Sequence, residues 1–306
     1  MKVLVCGASG MIGKALVASL KDHQVSVLGR SFKRLKRSFG KRCECLTWQT
    51  LTDDFLASYD VIVNLSGANI AQSRWTDSRK QQIIDSRVKT TEQLVAACLR
   101  LGDNSPRLLN ASAIGIYGIA GSLQQQQSTH FDESSVIPNP PSDFLCQVGV
   151  AWEHALQPAQ QAGLSVVQCR FGVVLDPSGG MLKKLLPSFR LGLGATLASG
   201  QQPLSWVSLS DVIRALHFIM AQPSLTGAIN IVAPETVSQA TFSRTLAQQL
   251  SRPCLLNLPE FAIKALFGQM GEECLMSGQT VLSKVLPSHG FEYEHITLKK
   301  ALSSML

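Results

Sequence analysis

Residues 2–13 read KVLVCGASGMIG, and this stretch decides the fold. The mostly apolar run at residues 2–6 is typical of a short buried strand, and glycines follow at positions 7, 10 and 13. Ile12, Leu16 and Leu20 then recur every four residues, as on one face of a packed helix. A strand, a glycine turn and a helix in this order are typical of a Rossmann unit. Its glycines let the backbone approach a pyrophosphate, whose charge faces the helix amino terminus.

Further strand-like runs at residues 24–28, 61–65, 107–111 and 165–170 are separated by helix-length segments. Such alternation produces a parallel sheet with helices on both faces. We therefore predict an α/β fold: a Rossmann-type, doubly wound parallel sheet with a smaller C-terminal α/β lobe. We assign residues 1–175 to the dinucleotide-binding Rossmann domain, with residues 205–232 returning to it. The smaller substrate or cap lobe comprises residues 176–204 and 233–306.

A polar segment at residues 122–141 interrupts the alternation. It contains four consecutive glutamines and a cluster of three prolines, Pro138, Pro140 and Pro141. Such a composition is typical of irregular surface structure. We expect a mobile loop that either closes over the site or hangs free of it.

The composition of the chain excludes several classes of protein. Its 306 residues, 45% of them hydrophobic, suffice for a full core, and no run approaches the roughly 18 apolar residues of a membrane span. Eight dispersed cysteines without a CxxC pair indicate reduced thiols and a cytoplasmic protein. Histidines and cysteines show no metal-ligand spacing, so no metal site is expected. The oligomeric state stays open.

The formal net charge of +7 comes largely from one local patch. Its members are Arg30, Lys33, Arg34, Lys36, Arg37, Lys41 and Arg42. Because the positive charge is bunched and not spread over the chain, we do not expect nucleic acid as a partner. An RNA- or DNA-binding module that uses this patch is the least favoured of three functional hypotheses.

Gly29, Arg30 and Ser31 directly follow the second predicted strand, where the choice between the two nicotinamide cofactors is made. An acidic residue there would accept a hydrogen bond from the free 2'-hydroxyl of NAD. Arginine cannot accept one, but it can pair with the 2'-phosphate of NADP. The position therefore favours NADP over NAD, and a merely solvated basic loop is the alternative.

Several motifs follow one another in a specific order: GASGMIG at 7–13, NLSGANI at 64–70, SRVKTTEQLV at 86–95, SAIGIYG at 112–118 and RFGVVLDPSGGML at 170–182. On these motifs the chain resembles the extended short-chain dehydrogenase/reductase superfamily, which includes nucleotide-sugar epimerases. More narrowly, it resembles the atypical epimerase-like group of the 39U type. The portion from Asn230 to HGFEY at 289–293 resembles the small C-terminal domain of that group, of the DUF1731 type.

The resemblance implies NADP(H) as the cofactor and assigns residues to it. With Ser31 from the adjoining loop, they are Gly7, Ser9, Gly10, Met11, Ile12, Gly13, Arg30, Leu65, Ser66, Gly67, Ser112, Arg170, Phe171, Gly172 and Val173. It also implies that a small substrate lies between the Rossmann domain and the C-terminal lobe. Segments that usually shape this cleft contain Leu182, Lys183, Trp206 and Asp211.

The pair that carries proton transfer in this superfamily is absent. It consists of a tyrosine and a lysine four residues later, which lowers the pKa of the phenol. The three tyrosines are followed at that spacing by Val63, Gly121 and Thr297. If Glu153 is aligned with the acidic residue that follows the active-site helix, the two positions fall on Leu145 and Gly149. The resemblance implies that members of the atypical group generally lack the pair as well.

Ser112 and Tyr117 are the first candidates for a replacement catalytic group, and Cys146 and Lys183 are further candidates. Three of them have a structural alternative. Tyr117 would be a packed ring with a satisfied hydroxyl, and Cys146 a small core residue. Ser112 would be a hydrogen-bonding partner of the cofactor or ligand.

A basic and aromatic group surrounds a predicted helix and consists of Arg74, Trp75, Lys80 and Arg87. It would clamp an anionic substrate or a cofactor phosphate, or else form a charged helix face with one packed indole. The leading hypothesis is an NADP(H)-dependent, epimerase-like oxidoreductase of an unknown small molecule. Its rival is a non-catalytic NADP(H)-binding redox sensor or interaction protein, which the missing pair supports.

Overall fold

The computed structural model describes all 306 residues of the chain. Its strands are β1 (Lys2–Cys6), β2 (Gln24–Leu28), β3 (Glu44–Leu46), β4 (Val61–Asn64), β5 (Arg107–Ala113), β6 (His130–Phe131), β7 (Val166–Phe171), β8 (Val173–Asp176), β9 (Ala195–Leu197), β10 (Pro203–Ser208), β11 (Gly227–Ile231), β12 (Thr236–Ser238), β13 (Leu256–Leu258) and β14 (Thr280–Val281).

Its helices are α1 (Met11–Ser19), α2 (Phe32–Phe39), α3 (Asp53–Ala57), α4 (Asp77–Leu101), α5 (Leu123–Ser128), α6 (Phe144–His154), α7 (Gln157–Gln161), α8 (Gly180–Arg190), α9 (Leu209–Ala221), α10 (Gln239–Gln249), α11 (Glu260–Phe267), α12 (Gln269–Leu275), α13 (Val285–Ser288) and α14 (Leu298–Met305). Two 3-10 turns lie at Gly102–Asn104 and Ile114–Tyr117. No helix combines the length and the apolar character that crossing a membrane requires.

Seven parallel strands form the main sheet in the order β11-β7-β5-β4-β1-β2-β3. The chain first winds outward from β1 through β2 and β3, and then continues on the other side with β4 and β5. The order therefore reverses between β1 and β4, and a crevice opens there at the carboxyl ends of the strands. The predicted doubly wound α/β fold is confirmed.

The two faces of this sheet carry separate cores because side chains alternate along each strand. Val3 and Val5 belong to a cluster of 29 buried residues that includes side chains of α1 and α9. Leu4 and Cys6 belong to a cluster of 15 on the opposite face, where α4 and α7 pack. The sheet is thus covered on both faces, and its carboxyl edge is left for a site.

The smaller lobe is built on a three-stranded sheet, β12-β10-β8, and on a two-stranded sheet, β13-β9. Its core contains Trp206 and Phe242, both fully buried. Two expected domain bounds need correction: β8 and residues 205–208 of β10 pair with each other outside the main sheet. The chain leaves the main sheet at Gly172, which separates β7 from β8. Within residues 205–232, α9 and β11 return, α9 against α1 and β11 beside β7. Part of the expected smaller lobe returns as well, since Leu286, Phe291 and Tyr293 pack in the core of the main sheet.

The expected loop at residues 122–141 is in fact partly regular and docked. It contains α5, which begins with a capping box between Ser122 and Gln125, and β6, which pairs with β14. The Glu133 carboxylate accepts hydrogen bonds from the amides of Asn230, Lys284 and Val285. The expectation of a mobile loop was wrong because these partners lie far away in the sequence, where composition gives no sign of them.

Candidate functional site

The glycine turn between β1 and α1 has the geometry that a dinucleotide requires. Gly7 has φ +73°, and a Cβ on it would lie 2.5 Å from the carbonyl carbon of Leu65. A Cβ on Gly13 would lie 2.6 Å from the oxygen of Gly7. Gly10 caps α1 without a side-chain hydrogen bond, and both Ser9 and Gly10 are exposed. The first amides of α1 are thus free to meet a phosphate, so the residues fit a dinucleotide pyrophosphate.

The loop after β2 leads directly into a strongly basic helix. Arg30 is exposed, and the Ser31 hydroxyl caps α2 by accepting a long hydrogen bond of 3.5 Å from the Arg34 amide. Leu35 and Phe39 anchor this helix in the core, while its cations face solvent. None of the residues of the basic patch forms an ion pair. Arg30 is therefore available to an incoming phosphate group.

The segment after β4 borders the glycine turn, and basic and indole side chains donate hydrogen bonds to its backbone. Each of four successive carbonyls accepts a side-chain hydrogen bond: Ala68 from Arg87, Asn69 from Arg79, Ile70 from the Trp75 indole and Ala71 from Lys184. Donors from α4 and α8, with the indole between them, thus shape this wall of the crevice.

Ser112, Arg170 and Asn230 lie side by side on β5, β7 and β11. They join a buried network at the carboxyl end of the sheet. The Ser112 hydroxyl donates to Glu153 (2.6 Å), and Arg170 donates to both oxygens of Glu153 (2.8 and 2.7 Å). Arg170 also donates to the Tyr117 hydroxyl (2.9 Å), which donates to the Asn230 amide oxygen (2.8 Å).

This network already binds the proposed catalytic hydroxyls of Ser112 and Tyr117. Ser112 is 2% exposed and Tyr117 is 1% exposed, and their hydroxyls are already bonded within the protein. Burial raises the pKa of Tyr117, although Arg170 opposes the shift. The catalytic assignment of Ser112 and Tyr117 therefore has no support from the geometry.

The predicted cofactor contacts at the end of β7 also need correction. The side chains of Arg170 and Phe171 are buried, so only the backbone there could border a ligand. Burial opposes the charge on Arg170, but its bonds to Glu153 outweigh burial and raise its pKa. Gly172 lies where the chain leaves the main sheet, and a Cβ on it would be 2.8 Å from a Val232 methyl group. Val173 begins β8, opposite Trp206.

Leu145 and Gly149 on α6 pack against the 3-10 turn that follows β5. A Cβ on Gly115 would lie 3.2 Å from that of Leu145, and a Cβ on Gly149 would lie 2.7 Å from that of Ile116. Cys146 is buried between them, with its thiol on the Ile116 carbonyl at 3.1 Å, and burial raises its pKa. Close apolar packing thus occupies the helix positions where the tyrosine and lysine were expected.

The four residues expected near the substrate cleft fall into two groups. Leu182 and Trp206 are core residues of the smaller lobe. The Asp211 carboxylate is fully buried and binds the amides of Glu294 and His295, the Ser208 hydroxyl and Arg214, so it anchors the C-terminal segment. Only Lys183 is exposed.

Sequence reasoning missed two carboxylates that organise the site. Glu153 is the partner of Arg170 and Ser112, whereas the sequence indicated only its position after the active-site helix. Glu273 of α12 accepts hydrogen bonds from the amides of Phe144 and Leu145, so the C-terminal lobe caps α6. A lone glutamate in an amphipathic pattern gives no sign of such long-range partners. Met11 likewise links the two lobes, since a Cβ on Gly179 would lie 2.6 Å from its sulfur.

Two family models match the chain. One, described as the NAD dependent epimerase/dehydratase family, matches residues 3–232. The other, described as a domain of unknown function (DUF1731), matches residues 258–305. Together they span the sheet of seven strands and the C-terminal half of the smaller lobe.

Relatives that align over nearly the whole chain are named epimerase family proteins. The chain is 41% identical over 304 residues to an epimerase family protein of Mycobacterium bovis, covering 98% of this chain and 96% of that protein. It is 33% identical to the chloroplastic epimerase family protein SDR39U1 homolog of Arabidopsis thaliana, covering 100% and 87%.

Solved structures show the same architecture over the whole chain. Human epimerase family protein SDR39U1 (isoform 2), determined with NADPH, superposes with a TM-score of 0.82 at 28% identity, covering 100% of this chain and 99% of that chain. A nucleoside-diphosphate sugar epimerase from Corynebacterium glutamicum gives a TM-score of 0.77 at 26% identity, covering 100% and 58%.

Proposed function

The chain belongs to the NAD dependent epimerase/dehydratase family, and on that premise we propose that it binds NADP(H) at the turn of residues 7–13. The observation that carries the proposal is the unobstructed turn itself, with Gly7 at φ +73° and uncapped amides at the start of α1. The similar human protein determined with NADPH supports the choice of cofactor, as does the exposed Arg30.

The chain's own residues would divide the work along the crevice. The amides of Met11 and Ile12 would hold the pyrophosphate, because the Gly10 amide already donates to the Gly7 carbonyl. Arg30 would pair with the 2'-phosphate. Leu65, Ser66 and Gly67 would border the adenosine and ribose. A bound nicotinamide cofactor supplies hydride transfer, and we propose an epimerase-like oxidoreductase acting on a small, anionic molecule between the two lobes.

Nicotinamide fluorescence of the purified protein, titrated with NADPH and with NADH, tests the cofactor. We expect tighter binding of NADPH and a loss of that preference in Arg30→Asp, because the aspartate would repel the 2'-phosphate. Arg37→Asp reverses the same charge farther along α2 and should leave the preference in place. Absence of binding to either cofactor would overturn the proposal.

A non-catalytic NADP(H)-binding sensor or interaction protein is the second candidate. Two observations favour it: the hydroxyls of Ser112 and Tyr117 bond inside the protein, and α6 presents Leu145 and Gly149 where the proton-transferring pair would lie. Oxidation of bound NADPH by any member of a broad carbonyl panel would count against this candidate. Loss of that turnover in Ser112→Ala or Tyr117→Phe would restore their catalytic role.

A further inference from the structure

Ala113 is an exposed residue at the end of an otherwise buried strand. It is the last residue of β5, and the six residues before it are all buried. A dinucleotide crosses the sheet where the strand order reverses, here between β1 and β4, and its adenosine end would lie at Arg30 after β2. The nicotinamide ring would therefore lie on the other side of the reversal, at the carboxyl ends of β4 and β5. Ala113 thus borders the place where hydride transfer would occur.

The surface around Ala113 is an apolar wall formed by Ala113, Gly115 and Leu145. Gly115 and Leu145 are half-buried, and a Cβ on Gly115 would lie 3.2 Å from that of Leu145. On the neighbouring strand β7, Ala113 is paired with Phe171. The side chains of this wall offer no hydrogen bond to the hydroxyl groups of a sugar. They complement the apolar face of a ligand instead.

The polar side chains next to the apolar wall are engaged within the protein. The hydroxyls of Ser112 and Tyr117 donate to internal partners, and so does the Cys146 thiol, whose pKa burial raises. The Glu273 carboxylate accepts backbone amides, that of Leu145 among them. A ketone or aldehyde that accepts a hydride becomes an alkoxide, and an enzyme that reduces it supplies a proton from a positioned acid. These four side chains are not placed to supply one.

A flavin accepts a hydride without such an acid. The bond between C4 of the nicotinamide and its hydrogen breaks, and a bond between that hydrogen and N5 of the flavin forms. The electron pair spreads through the flavin ring to N1, so that the products are NADP and the anion of the reduced flavin. Water supplies the proton to N1 afterwards. The flat face of such a ring also matches an apolar wall.

Two cations at the mouth of the crevice have no partner. Arg74, between β4 and α4, lies against the junction of α11 and α12, where a Cβ on Gly268 would be 3.4 Å from its Nη2. Lys183 of α8 is exposed and precedes Lys184, which donates to the Ala71 carbonyl after β4. Neither Arg74 nor Lys183 forms an ion pair. Their charge favours a ligand that carries an anionic group.

We propose that the substrate of this crevice is a planar conjugated acceptor with an anionic group, of the flavin mononucleotide class. It lies against the apolar wall and accepts a hydride without a proton from the protein. The inference rests on the proposed function, because bound NADPH must supply the hydride. It goes further by naming the class of the acceptor and by leaving protonation to water.

Single-turnover reduction, measured without oxygen as the loss of flavin absorbance, tests the chemistry. We expect the protein loaded with NADPH to reduce flavin mononucleotide but not pyruvate, which is an anionic ketone. Deuterium at C4 of NADPH should slow the reaction, because a bond to that hydrogen breaks. Heavy water should leave the rate nearly unchanged, because no proton moves in the same step.

A matched pair of variants tests the apolar wall. Ala113→Asp places a negative charge beside the flavin anion as it forms, whereas Ala113→Asn adds a side chain of the same size without the charge. At saturating NADPH and flavin mononucleotide, reduction should be about tenfold slower in the aspartate variant than in the asparagine variant. Leu99→Gln, in the last turn of α4 before the amino end of β5, is the control and should match the wild type. Unfolding midpoints establish that each variant is folded.

Lys183→Met tests the anionic group. We expect its KM for flavin mononucleotide to rise about fivefold, as for the loss of one exposed charge contact, while kcat persists. Riboflavin, which lacks the phosphate, should show no such change. A fall in kcat with both flavins would instead identify Lys183 as a proton donor and contradict the proposal.

The remaining outcomes separate this inference from the proposed function. The inference is overturned if the protein binds NADPH but does not reduce flavin mononucleotide, or if heavy water clearly slows the reduction. Equal rates in the two Ala113 variants would also refute it, because the acceptor would then lie elsewhere. In each of these cases the proposed cofactor site stands. Failure of the wild type to bind NADPH would refute the proposed function itself.

Discussion

At the scale of single residues, the buried pair of Arg170 and Glu153 dominates the carboxyl end of the sheet. Their side chains are 7% and 12% exposed and share two hydrogen bonds. Ser112 and Tyr117 fill the remaining positions around the pair. A satisfied network of this kind fixes the conformation of β5, β7 and α6 relative to one another, whereas a half-satisfied one is costly.

Glu153→Gln tests this role, because it keeps the shape and leaves Arg170 buried without an opposite charge. We expect the free energy of unfolding in urea to fall by about 3–5 kcal/mol. Asp53→Asn breaks the exposed pair with Arg100 and should cost much less. Equal losses in the two variants would show that the buried pair does not stabilise the fold in this way.

At the scale of elements, the strand, turn and helix of residues 2–19 contain one glycine that serves helix packing and another that serves cofactor binding. Gly13 lets α1 approach the sheet, since a Cβ on it would meet the backbone of Gly7 and Ala8 at 2.6 Å. Gly10 has more room, because a Cβ on it would lie 3.4 Å from its nearest neighbour and its φ is −71°. The two glycines therefore serve different purposes although they belong to one motif.

Alanine substitutions should reveal the difference. Gly10→Ala is expected to unfold at nearly the wild-type urea concentration but to bind NADPH at least tenfold more weakly, because its methyl group intrudes on the phosphate. Gly13→Ala is expected to lose stability as well, since its methyl group collides with backbone. Thermal or urea unfolding together with the fluorescence titration distinguishes them, and unimpaired binding by Gly10→Ala would contradict the assignment.

At the scale of the whole molecule, the C-terminal segment closes the fold by returning to the Rossmann domain. The Asp211 carboxylate at the start of α9 binds the amides of Glu294 and His295, while β14 pairs with β6 and α12 caps α6. Burial by itself would raise the pKa of Asp211, but these hydrogen bonds outweigh it and lower the pKa. The ionised form therefore holds the two parts of the molecule together.

Low pH should weaken the hydrogen bonds between Asp211 and the C-terminal segment. A carboxyl group with a depressed pKa contributes its full stability above the pKa of the unfolded chain, about 3.9, and loses it as the pH falls through the folded value. Wild-type protein should thus be more stable than Asp211→Asn at pH 6, and the difference should narrow below about pH 4. Urea unfolding at several pH values measures the difference, and a gap independent of pH would contradict the role of the charge.

The sequence by itself determined the Rossmann unit and the family of this protein. The order of strand, glycine turn and helix at residues 2–19 predicted the Rossmann unit. It could do so because glycine positions and hydrophobic periodicity determine local backbone structure without the help of distant residues. The ordered motifs predicted the family, which the matching family model confirms. The spacing of the three tyrosines also predicted that the tyrosine and lysine pair is missing.

Only the tertiary structure decided which polar side chains face the crevice. The SAIGIYG motif made Ser112 and Tyr117 catalytic candidates. Their hydroxyls instead donate hydrogen bonds to Glu153 and Asn230, which lie in distant parts of the chain. Residues 122–141 had the composition of a free loop, yet Glu133 meets amides about 100 and 150 residues away. Long-range hydrogen bonds and burial arise only when distant parts of the chain pack together. Local sequence patterns therefore do not predict them.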